Sequence, residues 1–112
     1  MRCAYPLLLF LALNLAAPLA RSAEEGKPVV VTMKSLSYDP KRVEIHIGDS
    51  VIWTNGARTV HTAVSDDEGT TFDTGEIEPG KSSRPIKFER VGDIPYHCKV
   101  HGKTMTGIIA VR

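Results

Sequence analysis

The chain has 112 residues with 14 Lys+Arg, 13 Asp+Glu and 4 His, a formal net charge of +1. That length allows one domain with a single hydrophobic core. A charge balance so close to neutral offers no basic field for a nucleic acid.

Met1-Arg2 is a short basic start, Leu7 to Ala17 is an apolar run, and small residues follow at Ala16, Ala17, Ala20, Ser22 and Ala23. This is the pattern of a secretory signal peptide, and Ala20 with Ser22 meets the small-x-small rule for cleavage. The expected organisation is a leader over 1–22 and one mature domain over 23–112. The apolar run is shorter than the roughly 20 residues a membrane span needs, so the mature protein is expected to be soluble and periplasmic, and a monomer. Loss of Arg2 and Arg21 takes Lys+Arg from 14 to 12 against 13 Asp+Glu, a net charge of −1. Loss of Cys3 leaves Cys98 alone in an exported chain, so no intramolecular disulfide can form. A lone thiol in an oxidising compartment is a liability unless it is buried, paired between chains or held by a metal.

From Lys27 onward the sequence shows no helical period. Val29 to Met33 is a β-rich run. Val43 to Ile47 alternates, with Val43, Ile45 and Ile47 on one face and Glu44 and His46 on the other, as a half-buried strand does. Gly48-Asp49 turns the chain into Val51 to Thr54, and Asn55-Gly56 is a turn signal that opens a loop before Val60 to Val64. Ser65 to Gly69 is an acidic surface loop. Phe72 and Ile77 are the apolar anchors of an irregular segment closed by a turn over 78–81. Ser82 to Phe88 reads as a strand with Pro85 at an edge or bulge. Gly92-Asp93 leads into Ile94 to Cys98, and Thr106 to Val111 closes the chain. Seven to eight short strands with frequent turns predict an antiparallel β-sandwich.

The chemistry lies in Tyr96-His97-Cys98-Lys99-Val100-His101-Gly102-Lys103-Thr104-Met105. Its C-x2-H-x3-M spacing brings thiol, imidazole and thioether together, and soft sulfur with imidazole selects copper; two His, a Cys and a weak axial Met form the blue-copper ligand set. One imidazole must come from elsewhere. His46 lies on the outward face of its strand beside Glu44, and His97 adjoins Cys98, so the two point to opposite faces. His61, after the loop and among Val60, Ala63 and Val64, completes the set.

In its ordered features the chain resembles the small cupredoxins of the plastocyanin, amicyanin and pseudoazurin group. They are Val43 to Asp49, Val51 to Asn55, His61, Phe72-Asp73-Thr74-Gly75, Pro79-Gly80, Phe88, Gly92, Tyr96 to Cys98, His101, Met105 and Gly107 to Val111. The resemblance spans Pro28 to Val111. It implies a Greek-key β-sandwich holding one type 1 copper ion at one end, with His61, Cys98 and His101 as equatorial ligands and Met105 as the axial one. It also implies a carrier of single electrons between redox partner proteins. A second class is a copper-handling protein that binds or oxidises Cu(I) for tolerance. Catalysis is not expected, since four protein ligands leave no open position.

Two features depart from the group. Three residues separate His101 from Met105, where two or four are common, which predicts a different distance or angle for the sulfur. Thr62 follows His61 where an Asn often ties the two ligand loops together; its shorter side chain predicts a weaker or replaced tie.

Overall fold

The computed structural model describes residues 27–112. The expected signal peptide over 1–22 therefore lies outside the described residues, and no described helix is long and apolar enough to cross a membrane. Eight strands follow in order: β1 (Val29–Met33), β2 (Tyr38–Asp39), β3 (Arg42–Ile45), β4 (Ser50–Asn55), β5 (Val64–Ser65), β6 (Ile86–Lys87), β7 (Gly92–Cys98) and β8 (Gly102–Val111). They form two four-stranded sheets, β2-β1-β4-β6 and β3-β8-β7-β5, the two layers of a β-sandwich.

Direction within the sheets is mixed. β7 runs antiparallel to β8 and to β5, while β1 with β4 and β3 with β8 run parallel. The parallel pairs follow from the path of the chain. After β2 it leaves the first sheet, passes through the second as β3, and returns on the other side of β1 as β4. Parallel neighbours need such a crossover, whereas a tight hairpin joins only antiparallel ones.

Alternation decides which residues meet between the layers. Val31 and Met33 of β1, and Val51, Trp53 and Asn55 of β4, point inward from the first sheet. Val43 and Ile45 of β3, Tyr96 and Cys98 of β7, and Ile109 and Val111 of β8 face them. At the centre Trp53 stacks on Phe72 with ring centroids 5.0 Å apart, Tyr96 meets Trp53 edge-on at 5.4 Å, and Tyr38 meets Tyr96 at 4.6 Å. Burying one Val or Phe side chain contributes about 1.5–3 kcal/mol, so this cluster is a large share of the stability of so small a domain.

Several boundaries differ from the sequence reading, each for a tertiary reason. Ile47 does not continue the inward face of β3. The strand ends at Ile45, the Asp49 carboxylate accepts from the His46 N–H in a turn, and Ile47 is 51% exposed. Of the segment over 60–64 that follows the loop, only Val64 joins a strand, Val64–Ser65, with His61 held by a single bridge to Ile77. The expected strand over 82–88 reduces to Ile86–Lys87, because Pro85 has no N–H to donate. β2 was not expected at all.

Candidate metal centre

The site lies at the end of the sandwich where β1, β4 and β7 finish and β8 begins. β7 delivers Cys98 with its side chain turned into the core and no exposed surface. The chain then turns tightly, with the His101 N–H donating to the Cys98 carbonyl at 3.2 Å. The Thr104 N–H and hydroxyl both donate to the His101 carbonyl. His101 is half-buried.

His61 arrives from the opposite loop and is fully buried. Its backbone pairs with Ile77, His61 N–H to Ile77 carbonyl at 3.2 Å and the reverse at 2.8 Å. Asn55 fixes that bridge in turn. Its buried amide donates to the carbonyls of Thr59 and Ile77, both at 2.8 Å, and its Oδ1 accepts the Ala57 N–H at 2.8 Å. The sequence reading took Asn55-Gly56 only as a turn signal. Asn55 occupies an inward position of β4, and an inward Asn in a strand of apolar inward residues was the signal that marks it as a structural hub.

The donor atoms converge. The Nδ1 atoms of His61 and His101 stand 3.7 and 3.5 Å from Cys98 Sγ, and the three ligand atoms lie within 4.8 Å of one another. The two imidazole planes are tilted by 51° with centroids 4.9 Å apart. A first-row ion with bonds near 2.0 Å to nitrogen and 2.3 Å to sulfur, at trigonal to tetrahedral angles, needs N···S separations of about 3.5–3.7 Å. The observed distances fit that requirement. Burial, and next the charge of the neighbouring His101, hold the His61 pKa below its ordinary value, with the Lys34 backbone pulling the other way. The neutral imidazole this favours is the form that ligates a metal.

Met105 is fully buried and packs in the same core as Cys98. The three-residue spacing is absorbed by a register break. His97 pairs with Thr106, yet Cys98 pairs with Gly102, so Lys103, Thr104 and Met105 have no partner on β7. Such irregularities re-aim side chains beside functional sites.

Thr62 ties the loops through a replaced contact, its hydroxyl standing in for an amide. Its Oγ1 accepts the Lys99 N–H at 2.7 Å, and its N–H and hydroxyl stand 3.4 and 3.8 Å from Cys98 Sγ. A hydroxyl suffices because the Cys98–Lys99 backbone approaches close enough to meet it.

The other two histidines stay outside this cluster. His46 is exposed, its ring 4.0 Å from Asp49. His97, on the face of β7 opposite to Cys98, places Nδ1 2.7 Å from Asp66 Oδ1, with 28% of its side chain exposed.

A family model of cupredoxin-like domains matches residues 6–111. The chloroplastic plastocyanin of Tetradesmus obliquus is 33% identical over 88 residues, which cover 70% of this chain and 60% of that protein. The chain thus spans about three-fifths of the length of this curated relative. Among solved structures, the purple cupredoxin from Nitrosopumilus maritimus superposes with a TM-score of 0.67 at 23% identity, over 75% of this chain and 99% of that one. The copper-containing nitrite reductase from Thermus scotoductus gives 0.71 at 31% identity, over 86% of this chain but 25% of the enzyme. The donor set, the sandwich and the match along nearly the whole chain agree with one type 1 copper ion, and the chain belongs to the cupredoxin-like family.

Proposed function

We propose that this protein carries single electrons between redox partners, with His61, Cys98 and His101 as equatorial copper ligands and Met105 as the axial one. The observation that carries the reading is the convergence of two imidazole Nδ1 atoms on the buried Cys98 Sγ. When bound there, copper supplies a one-electron Cu(II)/Cu(I) couple. The chain supplies the rest. Cys98, His61 and Met105 are fully buried and shut water out, and the half-buried His101 is the ligand through which an electron enters and leaves.

With four protein ligands no position stays open for a substrate, so we read the protein as a carrier rather than an enzyme. The nitrite reductase it resembles is about four times longer than the matched part, and that chemistry is not assigned to this chain. The leader expected over 1–22 from the sequence pattern supports export to the periplasm.

The test is an optical and EPR spectrum of the mature protein after one equivalent of Cu(II), then a redox titration. We expect an intense thiolate-to-copper band that bleaches reversibly and is lost in His61→Ala and Cys98→Ser. A protein that takes Cu(I) tightly without reversible cycling would refute carriage and favour copper handling. A colourless one would refute the type 1 site.

A further inference from the structure

Thr62 is held at more points than a spacer between two loops requires. The Tyr38 hydroxyl donates to its carbonyl at 2.6 Å, and its own Oγ1 accepts the Lys99 N–H at 2.7 Å. With one lone pair taken by Lys99, the hydroxyl proton is left to point at the nearby Cys98 Sγ, 3.8 Å away, beside the Thr62 N–H at 3.4 Å. Thr62 is itself buried, so both donors act on the sulfur in a dry, weakly screening surrounding where such contacts are stronger than in water.

Tyr38 explains why β2 exists. This strand of two residues pairs with the end of β1 and places the Tyr38 ring against Tyr96 at 4.6 Å. From there the phenol reaches across to the other ligand loop. Burial, then the charge of Cys98 and of Tyr96, push its pKa up, so it stays a hydroxyl that donates. Its hydroxyl hydrogen-bonds to the Thr62 carbonyl rather than to a metal donor.

We propose that the Thr62 hydroxyl raises the reduction potential of the bound copper by donating to the Cys98 thiolate, with Tyr38 as the positioning residue that fixes the Thr62 backbone. The proposal rests on the type 1 copper reading above. The sulfur carries more negative charge after an electron arrives than before, so a donor on Sγ stabilises the reduced form more. Hydrogen bonding at the Cys sulfur is a recognised lever on the potential of such sites. In the step concerned one electron passes from ferrocyanide to the protein, leaving ferricyanide and the reduced protein, with no proton transferred.

The experiment titrates copper-loaded wild type, Thr62→Val, Thr62→Ser and Tyr38→Phe against ferrocyanide/ferricyanide and records the charge-transfer band of each. Valine keeps the shape of threonine and loses the hydroxyl. At a fixed solution potential its oxidised-to-reduced ratio is expected to rise about tenfold, a fall of about 59 mV for one electron. Serine keeps the hydroxyl and is expected to stay within about threefold of wild type, roughly 30 mV on that scale. Tyr38→Phe should shift the ratio in the direction of valine, by less, and move the band. A fully coloured Thr62→Val with the wild-type ratio overturns the proposal alone. A wild type with no charge-transfer band overturns the copper reading and the proposal with it. Should valine prevent folding, Thr62→Ala and Tyr38→Phe carry the comparison, and wild-type ratios in both refute it.

Discussion

Gly107 sits in the middle of β8, directly opposite Tyr96 of β7, and the packing says what an alanine there would do. A Cβ at this position would lie 2.5 Å from the Tyr96 Cζ and hydroxyl oxygen and 2.8 Å from Cε1. Ordinary contact begins near 3.4 Å, so the ring would have to retreat by about 0.6–0.9 Å, and interiors packed like crystals resist such shifts. Tyr96 has nowhere to go. It is fully buried, with Tyr38, Trp53 and Phe72 around it at 4.6, 5.4 and 5.6 Å. Overpacking of this kind costs about 1–3 kcal/mol, against which the loss of glycine's freedom in the unfolded chain returns about 0.4–1 kcal/mol. A clash at 2.5 Å places the cost in the upper part of that range, about 2–3 kcal/mol, so the net destabilisation should be about 1–2.6 kcal/mol, a fall in Tm of roughly 4–21 °C for a domain of this size. Thermal unfolding followed by circular dichroism and by Trp53 fluorescence measures it. Gly107→Ala should also cost less in a Tyr96→Leu background, since a double-mutant cycle isolates the contact between neighbours. A Tm within 2 °C of wild type, or an equal cost in both backgrounds, would refute the argument that the ring requires glycine here.

Asn55→Ala removes three side-chain hydrogen bonds at 2.8 Å and leaves the Ile77 carbonyl only its bond from the His61 N–H; at roughly 1 kcal/mol each, chemical denaturation should show a loss of about 3 kcal/mol. Metal affinity should weaken as well, because the Ile77 backbone that pairs with His61 loses its Asn55 brace. Lys99 and Lys103 flank His101, are exposed, and pair with no carboxylate among the described residues. Two copies meeting at their metal ends should therefore repel. Electron self-exchange should quicken between ionic strengths of about 0.01 and 0.15 M, as the Debye length falls from about 30 to 8 Å, and Lys99→Gln/Lys103→Gln should flatten that dependence. A rate that falls with salt contradicts this. The Ser65 hydroxyl, then the Thr71 hydroxyl and N–H, hold the Asp67 pKa down from 3.8 to about 2. A depressed carboxylate stabilises the folded loop at pH above 3.8 and loses that contribution as pH falls through about 2. NMR should show the Thr71 amide contact giving way near pH 2, and Asp67→Asn should abolish the step.

The ligands were legible because metal chemistry restricts both residue type and spacing. A thiol, an imidazole and a thioether within eight residues leave few other uses, and the alternation read over 43–47 and around Cys98 disposed of His46 and His97. What the sequence hid depends on contacts between distant segments. A strand as short as Tyr38–Asp39 has no period to detect, and only its pairing with β1 and the Tyr38 hydroxyl's reach to Thr62 define it. Asn55-Gly56 satisfied a turn rule so well that the buried amide beneath it went unread. Thr62 looked inferior to an amide only because reach was judged from side-chain length, while the backbone of Lys99 closes the gap.

Each donor is anchored to the fold by a different route, and this bears on how the site works. His61 hangs from Ile77 and Asn55, Cys98 is the end of a central strand, and His101 is fixed by the turn that its own N–H closes. None of these anchors involves the metal, so the fold's own contacts set the positions of the donors, unlike small metallo-domains whose binding energy is their folding energy. A preset coordination sphere has little to rearrange when an electron arrives. It also leaves the protein few ways to adjust the couple, because ligands that cannot move cannot change their bond lengths to suit one oxidation state. The hydrogen bonds on the Cys98 sulfur are among the few adjustable features that remain, and the fold provides them from Thr62, a residue braced on one side by Tyr38 and on the other by Lys99.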